Sequence, residues 1–286
     1  MDGTKKAIGM LDSGVGGLTV AREVMKSMPA EKIIYFGDTL HLPYGPKPKR
    51  DVKRYVYRIV DYLKHRNVKT IILACNTATS MLLKEARKEI KKPLFGTIDG
   101  VAKRVKKVSR TKKAGIIGTR GTINSNSYQE ALEREDSEFE IYAKACPKFV
   151  ELAEKGDFDG YRVKKIAKEY LLPLKEKGID TLVLGCTHYP YFMPVIEKIM
   201  GDKVKLVNPA ETMASRAKNI MAVKGMISGK DEEPISFDHH EFYVSDLKKV
   251  SMDFLNKGTE FLELPHLDFE EHNIFASNDK KIHIKK

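Results

Sequence analysis

The chain has 286 residues and a formal net charge of +12, and 42% of its residues are apolar. That length is enough for one large or two ordinary domains with sizeable cores, and no apolar run approaches the roughly 20 residues that a membrane-spanning helix needs. The first residues lack the apolar stretch of a signal peptide, and three cysteines without a CxxC pair are typical of a reducing compartment. We therefore expect a soluble, cytoplasmic protein with free thiols.

Strand-like and helix-like segments alternate along the chain. Short apolar runs rich in β-branched residues predict strands at residues 7–11, 32–38, 70–76, 93–99, 114–119, 139–144, 180–186 and 203–209. Segments with helical apolar spacing follow these runs, and residues 229–242 are typical of a surface connection. Strands and helices that alternate at this length form right-handed βαβ units on parallel sheets. We therefore predict an α/β fold with two doubly wound parallel-sheet lobes.

Two cysteines stand at the points where predicted strands end. Cys75 lies in IILACNTATS and Cys186 in LVLGCTHYP, so in each case an apolar run gives way to a thiol and polar side chains. Open α/β sheets bind their ligands at the carboxyl ends of the strands. The matching surroundings of the two cysteines also indicate a weak internal repeat. We therefore expect one thiol from each lobe to face an active site in the cleft between the lobes.

A free cysteine can also be a small apolar residue buried in the core. That interpretation suits Cys146 in KACPKF, but it leaves the polar neighbours of the other two thiols unexplained, namely Asn76, Thr77, Thr187 and His188. His188 alone is also compatible with a core histidine, although its place two residues from a thiol suits it to tune the proton affinity of that thiol. A zinc site made of Cys75, Cys186 and His188 lacks the closely spaced ligand pair of zinc fingers, and we expect no metal.

Three loops that follow strands offer groups that could bind a small anion. The turn DSGVGG matches no nucleotide fingerprint, but its N–H groups at a helix N-terminus suit a carboxylate, with Asp12 and Ser13 at its mouth. Asp12 alone also fits a plain N-cap or Asx-turn residue. The other two loops supply further hydroxyls and N–H groups, from Thr119 and Thr122 in GTRGT and from Tyr44 and Gly45 in TLHLPYGPK.

The positive charge of the chain is scattered along the sequence. Its densest stretch, KRVKKVSRTKK at 103–113, contains no aromatic residue and is typical of a solvated helix face and its C-terminal turn. A basic surface suits a small dicarboxylate substrate, whereas clustered cations are a footprint of nucleic-acid binding. We expect no membrane partner, and we keep nucleic-acid binding as an alternative that would add to catalysis.

Seven motifs occur along the chain in the order DSGVGGLTV, YFGDT, PYGPK, ACNTAT, GIIGTRGT, ACPKFVELAEKG and GCTHYP. Over residues 7–215 this order resembles that of the glutamate racemases, cofactor-independent members of the aspartate/glutamate racemase family. The resemblance implies two similar α/β lobes, the first formed by residues 1–97 and 208–286 and the second by residues 98–207. It also implies L- and D-glutamate as substrates, a homodimer, no cofactor, and supply of D-glutamate for peptidoglycan.

The resemblance also implies the site residues, position by position. Cys75 and Cys186 take the places of two catalytic thiols, assisted by Asp12, His188 and Glu154. The implied substrate-binding residues are Asp12, Ser13, Tyr44, Gly45, Asn76, Thr77, Thr119, Thr122, Thr187 and His188. Inversion of an α-carbon needs one group that removes a proton and another that delivers one to the opposite face. We hypothesise that Asp12 assists Cys75, and that His188, oriented by Glu154, assists Cys186. An aspartate racemase would keep both cysteines, whereas a decarboxylase relative would lack one.

Overall fold

The computed structural model describes residues 3–228, 233–265 and 267–276. Its strands are β1 (Ile8–Asp12), β2 (Ile33–Gly37), β3 (Thr70–Leu73), β4 (Leu94–Gly96), β5 (Lys113–Gly118), β6 (Glu140–Ala145), β7 (Thr181–Gly185), β8 (Lys205–Val207), β9 (Glu241–Val244) and β10 (Glu270–Glu271). Every pair of neighbouring strands is parallel.

Helices connect these strands and cover the sheets. They are α1 (Leu18–Ser27), α2 (Lys49–His65), α3 (Asn76–Glu89), α4 (Val101–Val108), α5 (Arg120–Asn124), α6 (Ser127–Glu135), α7 (Pro147–Ala153), α8 (Tyr161–Glu176), α9 (Met193–Met200), α10 (Pro209–Val223) and α11 (Met252–Phe261). Among the described residues, no helix is both long and apolar enough to cross a membrane.

The strands form two sheets with the same core topology. The larger sheet has the order β10-β9-β2-β1-β3-β4, and the smaller sheet has the order β6-β5-β7-β8. If β1 is matched to β5, the four strands β2-β1-β3-β4 correspond one by one to β6-β5-β7-β8. The predicted fold class, two similar α/β lobes, is thus confirmed. The predicted lobe boundaries fall between β4 and β5 and at the start of α10.

The sequence interpretation was wrong about the C-terminal part of the larger sheet. It took residues 203–209 as the last clear core strand, but β9 pairs with β2 and β10 pairs with β9. The predicted surface connection ends at residue 240 instead of 242, because Glu241 and Phe242 already pair with β2. Residues 229–232 of that connection lie outside the described residues. The run FYV is too short to stand out without its neighbouring strand.

An apolar core shared by both lobes holds them together. The largest core cluster contains Ile8 and Met10 from β1, Leu182 and Leu184 from β7, and Met213 from α10. Helix α10 packs against both α1 and α4, which belong to different lobes. Because the core is shared, the carboxyl ends of both sheets are brought to the same cleft.

Candidate active site

The first strand of the larger sheet ends in a buried carboxylate beneath a tight turn. Asp12 Oδ2 accepts the N–H groups of Gly14 at 3.2 Å and Gly17 at 3.0 Å, so the Asx-turn interpretation of Asp12 is structurally correct. Asp12 Oδ1 is buried and has no hydrogen-bond partner among the described residues. Burial raises the pKa of Asp12 to about 6, although the positive charge of His188 and the N–H donors oppose the shift. The free oxygen can therefore exchange a proton near neutral pH.

The first thiol lies at the N-terminus of α3. Cys75 is the N-cap residue of this helix, and its Sγ is 3.7 Å from Ser13 Oγ. A helix N-terminus favours a thiolate, but burial, followed by the negative charge of Asp12, raises the pKa of Cys75 to about 12. A negative charge on Cys186 also raises this pKa, so the two sulfur atoms act on each other electrostatically. Cys75 is therefore a protonated thiol at neutral pH.

The second thiol follows β7 and has a cation beside it. Cys186 Sγ lies 3.8 Å from His188 Nδ1, and His188 Nε2 lies 2.5 Å from Glu154 Oε1. Burial lowers the pKa of His188, but its hydrogen bonds to Cys186 and Glu154 outweigh burial and hold the pKa well above its usual value. A Cβ on Gly16 would lie 2.6 Å from the His188 ring, so only glycine leaves room for the ring. The charged imidazole can stabilise a thiolate at Cys186.

Hydroxyl groups connect the lobes across the cleft. Thr77 Oγ1 and Thr119 Oγ1 are 2.9 Å apart, and Thr119 Oγ1 lies 3.1 Å from Thr122 Oγ1. Thr119 also caps α5 by accepting the N–H of Thr122. Gly45 comes from the other lobe, and its carbonyl accepts the N–H of Gly121 at 3.0 Å. These contacts place hydrogen-bonding groups of both lobes on one side of the cleft.

Asn76 and Thr187 are buried close after strand ends and Tyr44 is buried in the loop that follows β2, and each is held by a side chain that the sequence interpretation did not single out. Tyr128 donates to Asn76 Oδ1 at 2.6 Å, and Thr19 donates to the Thr187 carbonyl at 3.0 Å. Tyr44 donates its hydroxyl to Asp38 Oδ2 at 2.6 Å. Asp38 lies in the motif YFGDT, so that motif was the available signal. Tyr128 and Thr19 carry no comparable sequence signal, because their contacts are between distant segments.

The third cysteine is separate from this arrangement. Cys146 is fully buried in the shared core, and its Sγ lies 3.6 Å from the Lys144 carbonyl. This is the environment expected of a small core residue. Within the described ranges, no three His, Cys, Asp or Glu side chains are arranged to hold a metal ion.

Sequence comparisons associate the chain with one group of enzymes. The family described as Asp/Glu/Hydantoin racemase matches residues 18–217. The chain is 40% identical to the glutamate racemase of Exiguobacterium sibiricum over 251 residues, which cover 88% of this chain and 93% of that protein. It is also 40% identical to the glutamate racemase of Listeria monocytogenes serotype 4a over 266 residues, or 93% and 97% of the two chains.

Solved structures give the same association. The glutamate racemase isoform RacE1 from Bacillus anthracis is 34% identical and superposes with a TM-score of 0.86, covering 94% of this chain and 98% of that one. The glutamate racemase of Francisella tularensis in complex with D-glutamate is 30% identical, with a TM-score of 0.84 and coverage of 96% and 100%.

Proposed function

Because the chain belongs to the Asp/Glu/Hydantoin racemase family, we propose that it interconverts L- and D-glutamate without a cofactor. The observation that carries the proposal is the pair of buried thiols, one from each lobe, at the carboxyl ends of the equivalent strands β3 and β7. Each thiol has its own assisting group, an acidic one beside Cys75 and a basic one beside Cys186. Two sulfur atoms that share one cleft from opposite lobes can address opposite faces of one carbon.

The electrostatics support different starting roles for the two thiols. Racemisation needs one base and one acid at the same time. Cys186 is the base, because the imidazolium of His188 stabilises its thiolate and Glu154 stabilises the imidazolium. Cys75 is the acid, because burial and Asp12 keep its proton in place.

One turnover then removes the α-proton from one face of the substrate and delivers another proton to the opposite face. Cys186 takes the α-proton and becomes a thiol, and Cys75 delivers its proton to the opposite face and becomes a thiolate. The enzyme is left in the form that accepts the other enantiomer, and proton exchange with solvent restores the first form. The unpartnered oxygen of Asp12 is a suitable acceptor for the Cys75 proton when Cys75 has to begin as the base.

The other predicted residues bind the substrate and stabilise its carbanion. The hydroxyls of Ser13, Thr77, Thr119 and Thr187 are donors for the two carboxylates, whereas the Gly14 and Gly17 N–H groups of the turn are already bound to Asp12 Oδ2. Oriented donors of this kind stabilise charge that develops in the transition state. The presence of both cysteines supports a racemase over a decarboxylase relative, and the identity to glutamate racemases favours glutamate over aspartate.

The proposal extends to the role of the protein in the cell. A glutamate racemase in the cytoplasm would supply D-glutamate for peptidoglycan, and we propose that the chain acts as a homodimer. The basic stretch at 103–113 is in part neutralised, since Lys112 Nζ lies 3.2 Å from Asp136 Oδ2 and Lys106 Nζ lies 3.9 Å from the same atom. This supports a solvated helix face over a nucleic-acid site.

The test is incubation of the purified chain with L-glutamate in D₂O without added cofactor, followed by polarimetry and NMR of the α-proton. Loss of optical rotation with deuterium incorporation is the expected result, and L-aspartate serves as the matched substrate control. Faster racemisation of aspartate would move the assignment to aspartate racemase. No inversion of either substrate would refute the proposal.

A further inference from the structure

A second buried carboxylate lies outside the groups that react. Asp38 directly follows β2, is completely shielded from solvent, and donates its backbone N–H to the Asp12 carbonyl at 3.0 Å. Its only ion-pair partner among the described residues is His41, whose Nδ1 lies 2.9 Å from both carboxylate oxygens. A buried carboxylate is costly unless donors surround it. The groups around Asp38 must therefore offset the free-energy cost of burying its charge.

Three side chains donate to this carboxylate. Tyr44 Oη lies 2.6 Å from Oδ2 and Ser245 Oγ lies 2.9 Å from Oδ1, while His41 Nδ1 contacts both oxygens. Ser245 Oγ already accepts the N–H of Leu40 at 2.9 Å, so its own proton is free to point to Asp38. A carboxylate can only accept, and here it collects donors from two distant parts of the chain.

These contacts organise the segment that reaches across the cleft. We define the Tyr44 loop as residues 38–48. The Tyr44 hydroxyl donates to Asp38, so under the proposed function Tyr44 and Gly45 would contact the substrate through their backbone. Gly45 also meets the second lobe, because its carbonyl accepts the Gly121 N–H and a Cβ on Gly45 would lie 2.9 Å from Thr119 Cβ. A shift of the loop would therefore alter both substrate contacts and lobe closure.

The C-terminal segments support the same loop from behind. The His41 ring stacks on Tyr55 at 3.8 Å between centroids and meets the edge of Phe275 at 4.6 Å. Thr39 Oγ1 donates to the Asp246 carbonyl at 2.6 Å. Residues near 245 and 275, which fall beyond the clear family motifs, thus hold the first half of the loop in place.

We propose that Asp38 is a positioning residue for substrate binding, which acts through Tyr44, His41 and Ser245 to fix the Tyr44 loop in the shape that binds glutamate and meets Gly121. The inference rests on the proposed function of the same site. Asp38 touches no reacting group, so its loss affects binding more than proton transfer. The proposal also gives a role to the C-terminal segments, which contact Thr39 and His41 of the same loop.

The test compares KM and kcat for L-glutamate in the wild type, Asp38→Asn, Tyr44→Phe and the double variant. Asp61→Asn, the same chemical change on the outer face of α2, is the matched control. We expect Asp38→Asn to raise KM at least about tenfold, the size expected from losing hydrogen bonds to a buried charged group, with a smaller fall in kcat. Tyr44→Phe should raise KM less. The double variant should be no worse than Asp38→Asn, because both changes break the same contact.

Two results would overturn the inference. One is a KM for Asp38→Asn within twofold of the wild type in a folded protein, and the other is a double variant in which the two effects multiply. If Asp38→Asn fails to fold, Tyr44→Phe and Ser245→Ala, which each remove a single donor, carry the same test, and an unchanged KM in both refutes it.

A separate readout distinguishes failure of this inference from failure of the proposed function. If the wild type racemises nothing, the proposed function is wrong, and amide hydrogen exchange of residues 39–48 then decides the inference. Faster exchange there in Tyr44→Phe than in Asp61→Asn supports the positioning of the loop by Asp38. Equal exchange overturns it.

Discussion

Replacement of Asp12 by Asn should abolish a loss of stability that the wild type suffers between acidic and neutral pH, while it impairs catalysis. Burial raises the pKa of Asp12 from 3.8 to about 6. One pKa unit corresponds to 1.36 kcal/mol, so a shift of about 2 units corresponds to about 3 kcal/mol. Because the folded-state pKa is the higher one, the stability is fully present below pH 3.8 and is lost as the pH rises through about 6. The Asn side chain does not ionise, so the variant does not lose this stability as the pH rises.

The assay is urea unfolding of both proteins, followed by circular dichroism at a series of pH values from 4 to 8. The free energy of unfolding of Asp12→Asn relative to the wild type should increase by about 2 kcal/mol between pH 4 and pH 7, because part of the full shift has already been lost at pH 4. A difference in the free energy of unfolding that does not vary with pH reports how well the amide fits the site, and it cancels from this comparison. Asp61→Asn controls for the same substitution at a partly exposed carboxylate. A wild-type to Asp12→Asn difference that stays constant over the pH range would refute the burial argument.

The remaining predictions concern the reaction. Cys75→Ser and Cys186→Ser should each abolish racemisation, whereas Cys146→Ser should keep most of it; equal loss in all three, with misfolding seen by circular dichroism, would contradict the assigned roles. His188→Asn should lower kcat/KM by about 10²- to 10⁴-fold, the range for an acid/base contribution. The fall should be equal in both directions because the equilibrium constant of racemisation is one. Initial rates with each enantiomer measure this, and a wild-type rate would exclude a catalytic role for His188. The pH profile of kcat/KM should be bell-shaped, with an acidic limb near the Asp12 pKa of about 6 because Asp12 must be ionised; a flat profile would argue against coupled acid and base groups.

The alternation of strands and helices and the place of the two thiols at strand ends could be predicted because both depend on local patterns. An apolar run that ends in Cys75 or Cys186 carries its own signal, whatever the rest of the chain does. The predicted strand at 70–76 ends early, at Leu73, because Cys75 caps α3 and Asn76 already begins it. The boundary between strand and helix is set here by the cap geometry, which the apolar pattern of the sequence does not show.

The residues that hold the site in place could not be predicted from local patterns. Asp38 and Ser245 are 207 positions apart and meet only after β9 has paired with β2. The contact of His188 with Glu154 spans 34 positions and was expected only through the family resemblance. Such contacts depend on tertiary packing, and a single polar residue in a loop does not reveal its partner.

The two lobes present equivalent thiols but surround them with opposite charges, and the reaction requires this difference. If both thiols faced a carboxylate, both would keep their protons and neither could act as the base. If both faced an imidazolium, both would be thiolates and no proton could be delivered. Burial and Asp12 favour the protonated form of Cys75, whereas the His188 cation beside Cys186 favours a thiolate there, and one proton shared by the two thiols is what a racemase needs in either direction. The repeated fold supplies the symmetric geometry, and two unmatched side chains supply the asymmetric protonation.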